Sequence, residues 1–191
     1  MVKPTDTRAR ILAVARELFA RKGVQQTSLR DIAAQLGITK PALYYHFDSR
    51  EALVACIVQP LLDDMDAFIL ERESTRPDLR ALLSDYFDLL HRHSELITML
   101  VRDLATLGMA DLANKMIGWR HRLIALLLGP DPGLAAQVRA VVAIGGMSDC
   151  TISFPDVPMD RIKAFAVDAA CAALEPPPGA PPRPPARRPR T

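Results

Sequence analysis

The sequence predicts an all-α protein, and three observations carry that prediction. Apolar residues recur at helical spacing along most of the chain, and no alternating run is long enough to build a sheet. Aromatic residues make up only 5% of the chain, and glycine supplies only 9 of its 191 residues, too few for an all-β fold with many turns. With 49% hydrophobic and 24% charged residues the chain holds enough apolar material for a sizeable core.

The elements follow in order. Ile11, Leu12, Ala15, Leu18 and Phe19 form one apolar stripe, and Gly23 stops that helix. Ser28 with Asp31 three residues on is a capping pair that opens a short helix whose inner face is Ile32, Ala33 and Leu36. Gly37 supplies the left-handed residue that closes it, and Ile38 pins the turn to the core. Thr39 caps the next helix, which tolerates Pro41 in its first turn because no intrahelical donor is needed there. That helix is barely two turns long. Only Leu43 and Phe47 face inward, so Lys40, Ala42, Tyr44, Tyr45 and His46 are left outside.

A fourth helix is expected from Arg50, capped by Asp48 or Ser49, and Pro60 must kink or end it. Leu79, Leu82, Leu83, Tyr86, Phe87 and Leu90 mark the next helix, opened by Pro77 in its first turn. Further stripes are Leu112, Met116, Trp119, Leu123 and Leu126, then Leu134, Val138, Val141, Val142 and Gly145, then Ile162, Phe165, Ala166, Ala169 and Ala173. Half of the 16 prolines lie in residues 176–191, a basic tail with little to bury that should be a solvated, polyproline-like extension.

The net charge of +2 conceals a division. Residues 1–50 carry nine Lys/Arg against four Asp/Glu, residues 51–175 eleven against eighteen, and the tail four arginines and no acid. A basic N-terminal quarter on an acidic body suits a nucleic-acid reader joined to another module. Two short helices joined by a glycine-containing turn, here residues 28–47, form a helix-turn-helix whose second helix fits the major groove. Two tyrosines, a histidine and a lysine left exposed are poorly explained by solubility; they make sense if DNA covers them.

Over residues 5–65 the sequence resembles the tetracycline-repressor (TetR) family of transcriptional regulators. The resemblance rests on Ile11-Leu12-x-x-Ala15-x-x-Leu18-Phe19, Gly23, Thr27-Ser28-Leu29-Arg30-Asp31-Ile32-Ala33, and Leu43-Tyr44-Tyr45-His46-Phe47 followed by Ser49-Arg50-Glu51-x-Leu53. It implies an N-terminal three-helix DNA-binding domain, with contacts from Ser28, Arg30, Thr39, Lys40, Pro41, Ala42, Tyr44, Tyr45 and His46. It also implies a phosphate contact from Arg50, where the family usually has lysine. Residues 66–175 would then be a five-helix effector-binding and dimerisation domain, with the fourth helix as the lever between the two. The implied protein is a ligand-responsive homodimeric repressor on a palindromic double-stranded operator.

For the effector, the candidate lining residues are those on apolar faces with a polar handle: Tyr86, His93, Met99, Trp119 and His121. His121 shares a second stripe with Ile117, Ile124 and Leu128. Such a face has few charges, so the expected effector is small and mostly apolar. The small residues of the last two stripes let helices approach closely, which suits a homodimer interface.

Other chemistries find no residues to stand on. His91 and His93 do not share a helical face, and no thiolate cluster joins them, so no metal site is expected. Asp63, Asp64 and Asp66 lack the glycine and closing glutamate of a calcium loop. No catalytic or cofactor motif occurs, so neither an enzyme nor a cofactor is expected. No run of about 18 apolar residues suggests a membrane span. The N-terminus lacks an apolar signal region, and the three widely spaced cysteines suit free thiols, so a cytoplasmic protein is expected. The competing expectation is a small-molecule carrier whose basic domain merely neutralises acid. Exposed Lys40, Tyr44 and Tyr45 discriminate, because a carrier has no use for them.

Overall fold

The computed structural model describes residues 4–75, 77–103, 110–129, 131–154 and 156–175; the expected extended tail, 176–191, lies outside them. The described residues form nine α-helices and no strand: α1 Pro4–Lys22, α2 Leu29–Leu36, α3 Lys40–Tyr44, α4 Arg50–Thr75, α5 Leu79–Arg92, α6 Ser94–Asp103, α7 Ala110–Leu128, α8 Leu134–Ser153 and α9 Met159–Leu174. They fall into two compact units, Met1–Ala67 with His93–Met116, and Phe68–Arg92 with Ile117–Thr191.

The first unit is built on the predicted α1 stripe. Ile11, Ala15, Leu18 and Phe19 are fully buried with Ile32 of α2, Leu43 of α3, and Leu53, Val54 and Ile57 of α4. Burying each large side chain contributes about 1.5–3 kcal/mol, and together they fix α2 and α3, which are too short to persist alone. Gly23, at φ 86°, ends α1 and donates its N–H to the Phe19 carbonyl at 2.8 Å. The sequence placed residues 93–103 and 110–116 with the C-terminal helices, but these residues group with the first unit. Met99, Leu100 and Leu112 belong to its core, and α6 packs on α1.

One expectation about proline is narrowed and another is corrected. Pro60 does not end α4, which runs on to Thr75. Its ring lies on the exposed face, where water can satisfy the Cys56 carbonyl that loses its usual donor. Pro77 does not stand in the first turn of α5. Asp78 is the N-cap, its carboxylate accepting from the Ala81 N–H at 2.9 Å, so Pro77 precedes the helix. At the start of α4 it is Ser49 that caps, accepting from the Ala52 N–H at 3.0 Å.

In the second unit α5, α8 and α9 pack on one another. The α5 stripe is buried from Leu82 to Leu90, with only Leu79 reaching the surface. The α8 stripe named from sequence is exposed at Leu134, Val138, Val141 and Val142, while Ala140, Ala143, Ile144, Met147 and Thr151 on the opposite face fill the core. The α9 stripe divides, with Ile162 and Ala166 turned in, Phe165 and Ala169 out.

Candidate nucleic-acid interface

The turn between α2 and α3 is set by local chemistry. At the start of α2 the Ser28 hydroxyl accepts from the Asp31 N–H at 3.1 Å, and the Ser28 N–H donates back to Asp31 Oδ2 at 2.9 Å. The Ser28 hydroxyl also donates to that carboxylate at 2.7 Å, and these bonds hold the Asp31 pKa below its ordinary value. At the other end Gly37 stands at φ 67°. Its N–H reaches the Ala34 carbonyl at 3.2 Å and the Ile38 N–H reaches Ala33 at 3.0 Å, the paired bonds of a Schellman stop. Thr39 then caps α3, its hydroxyl accepting from the Ala42 N–H at 3.3 Å.

With Leu43 and Phe47 buried, the rest of α3 must face out. Lys40, Pro41, Ala42, Tyr44 and Tyr45 are exposed, Tyr45 by 84%, and His46 is half-buried. The Tyr45 and His46 rings meet edge to face at 5.3 Å, and the Lys40 ammonium lies 5.4 Å from the centre of the Tyr44 ring. Ser28 and Arg30 are exposed at the start of α2, as is Thr39 before α3. Among the described residues neither Arg30 nor Lys40 makes an ion pair. The first unit thus presents donors, two cations without an ion pair among the described residues, and two phenols along α2, α3 and its C-cap.

Arg50 departs from this pattern. Its guanidinium turns onto the loop before α2, with Nη1 3.4 Å from the carbonyl oxygens of both Val24 and Gln25. No local pattern announces these contacts, because the acceptors lie 26 and 25 residues away. It equally missed Arg8, which stacks 4.9 Å from the Phe47 ring centre and donates to Cys56 Sγ at 3.0 Å.

The five candidate effector residues are not gathered into one unit. His93 and Met99 belong to the first, where His93 Nε2 lies 2.9 Å from Asp64 Oδ2 and Met99 is core. Tyr86 and Trp119 are buried in the second, and His121 is exposed. Burial pushes the Tyr86 phenol up to about 12, so it stays a neutral hydroxyl. Among the described residues no group of three or more His, Cys, Asp or Glu is placed to hold a metal ion. No helix of those residues is long and apolar enough to cross a membrane.

Comparison with known proteins agrees with this geometry. The KstR2 transcriptional repressor of Rhodococcus jostii is 41% identical over 76 residues, covering 40% of this chain and 37% of the relative. The FasR transcriptional activator of Mycolicibacterium smegmatis is 25% identical over 146 residues, covering 73% of this chain and 67% of the relative. The alignments to the first curated relatives therefore span only about a third of those proteins' length. The fold extends further: a TetR/AcrR-type transcriptional regulator from Aquifex aeolicus superposes with a TM-score of 0.72 at 22% identity, covering 87% of this chain and 98% of its own. Residues 11–57 match the bacterial regulatory proteins of the tetR family, so this segment of the chain is a tetR-type domain.

Proposed function

We propose that this protein is a DNA-binding transcriptional regulator rather than an enzyme, acting in the cytoplasm as a homodimer on a palindromic operator. The observation that carries the reading is α3 itself. Five residues long, it buries Leu43 and exposes Lys40 and Tyr44, with Tyr45 exposed at its C-cap, and none of them has an acidic partner among the described residues. Lys40 and Arg30 suit guanine O6/N7 in the major groove, while Pro41 and Ala42 offer apolar contact to a thymine methyl. Ser28, Thr39, Tyr44, Tyr45 and His46 hold phosphates and fix register.

Dimerisation is supported by α8, apolar on two opposite faces of which this protomer covers one. A Cβ added at Gly145 or Gly146 would meet nothing within 4 Å, leaving room for a second helix to approach. For the effector, Tyr86 and Trp119 offer an apolar setting with a neutral hydroxyl in the second unit, which favours a small, mostly apolar ligand. A regulator of this kind responds when its ligand prefers one of two arrangements of the dimer. Both a repressor and an activator stand among the relatives, and the sense proposed for this chain is repression.

The test is electrophoretic migration of the protein with the DNA upstream of its own gene at moderate salt. A retarded complex that outlasts competition by scrambled duplex is the expected result, and equal competition by both overturns specific recognition. In thermal-shift screening, stabilisation only by highly charged metabolites overturns the apolar effector.

A further inference from the structure

Arg50 is the first residue of α4, yet its side chain reaches back to the loop that leads into α2. Nη1 donates to the carbonyls of Val24 and Gln25, both at 3.4 Å, and Nη2 donates to Gln25 Oε1 at 3.4 Å. Nη2 also lies 3.5 Å from the Glu51 carboxylate, and the side chain is only 28% exposed. The Nε is buried with no partner among the described residues. The same loop is tied from within: the Thr27 N–H donates to the Val24 carbonyl at 3.3 Å and the Thr27 hydroxyl to Gly23 at 2.8 Å. Ser28, the cap of α2, follows directly.

We propose that Arg50 is a positioning residue. Its planar fork clamps the Val24–Gln25 turn to the start of α4 and so sets where Ser28 and Arg30 stand, instead of touching a phosphate itself. Donors spent on protein carbonyls do not face a phosphate, and the Glu51 carboxylate offsets the charge that would otherwise release counterions. A lysine in this place keeps the charge but offers a single point donor, which does not span two carbonyls and an amide oxygen together.

The consequence for DNA rests on the DNA-binding reading above; the clamp does not, and the experiment separates them. Amide hydrogen exchange is measured on the free full-length chain and its Arg50→Ala, Arg50→Lys and Gln25→Ala variants. The same proteins are titrated with a fluorescent mixed-sequence duplex across a range of salt. In Arg50→Ala, amides 25–28 are expected to exchange about tenfold faster while Leu53 and Ile57 keep their protection. Its DNA affinity should fall several-fold at every salt, with the slope of log affinity against log salt unchanged. Gln25→Ala should shift both readouts the same way but less, and Arg50→Lys should keep the slope without restoring protection. A slope lowered by about 0.9 in Arg50→Ala, the signature of one lost phosphate contact, overturns the proposal. So does unchanged exchange at 25–28, or full recovery of affinity by lysine. If the unaltered protein binds no duplex, the DNA reading falls and the exchange arm alone decides the clamp.

Discussion

The Asp31 carboxylate accepts from both the hydroxyl and the N–H of Ser28, and those two bonds hold its pKa below the ordinary value near 3.8. A lowered folded pKa contributes stability that is fully present above the ordinary value and is lost as pH falls through the folded one. The stability gap between the unaltered protein and Asp31→Asn should therefore be constant near neutrality and close below about pH 4, read from chemical denaturation at several pH values. The cap was legible in the sequence because all its partners lie within three residues; so were Gly37 and Thr39, and for the same reason. Lys40 tests the reading of bases. It rests beside the Tyr44 ring and makes no ion pair among the described residues, so Lys40→Ala should cost about 1–3 kcal/mol on the cognate duplex and relax preference at one base pair. Equal weakening on cognate and scrambled duplexes would contradict that assignment. Arg50 shows the limit of such reading. Its charge was visible, but the carbonyls it serves are 25 and 26 residues upstream, and no local pattern encodes them.

At the scale of elements, periodicity located the long helices other than α6, which no stripe marked, and placed their ends less well. The α5 stripe is buried as spaced, yet Asp78 rather than Pro77 opens the helix, because a carboxylate one residue later can cap an orphan N–H directly. Pro60 shows why a breaker does not always break. The lost donor and the crowding by the ring fall on the water-facing side of α4, while Val54, Ile57, Val58 and Leu61 hold the opposite side in the core. Burial on one face outweighs the local cost on the other. Pro60→Ala should consequently stabilise the fold by about 1–3 kcal/mol, restoring the bond to the Cys56 carbonyl and relieving the ring contact. The measurement is a shift in denaturation midpoint with an unchanged denaturant slope. A midpoint that does not move would mean that α4 gains nothing from being regular at this point.

For the whole molecule, the sequence distinguished an N-terminal reader from a helical body but drew the boundary too simply. Residues 93–103 and 110–116 join the first unit because Met99, Leu100 and Leu112 share its core, a contact between distant segments that periodicity does not reveal. The sequence also saw one apolar stripe on α8 where there are two, since a helix apolar on both faces blurs into a run of small hydrophobes. The second face bears on assembly. Val138 is 52% exposed, Val142 63% and Phe165 of α9 67%, a load of apolar surface that water disfavours and that a second copy of the chain would cover. A carboxylate at the centre of such a face must be desolvated without a partner, at several kcal/mol in each half of a symmetric interface, whereas on an isolated protomer it simply meets water. Val142→Glu should thus leave the thermal stability of the monomer nearly unchanged and shift sedimentation at micromolar concentration from dimer to monomer. Because a dimer grips two half-sites together, the monomer should bind a palindromic duplex no more tightly than a single half-site. A Val142→Glu protein that still sediments as a dimer would place the dimer contact somewhere other than this face of α8.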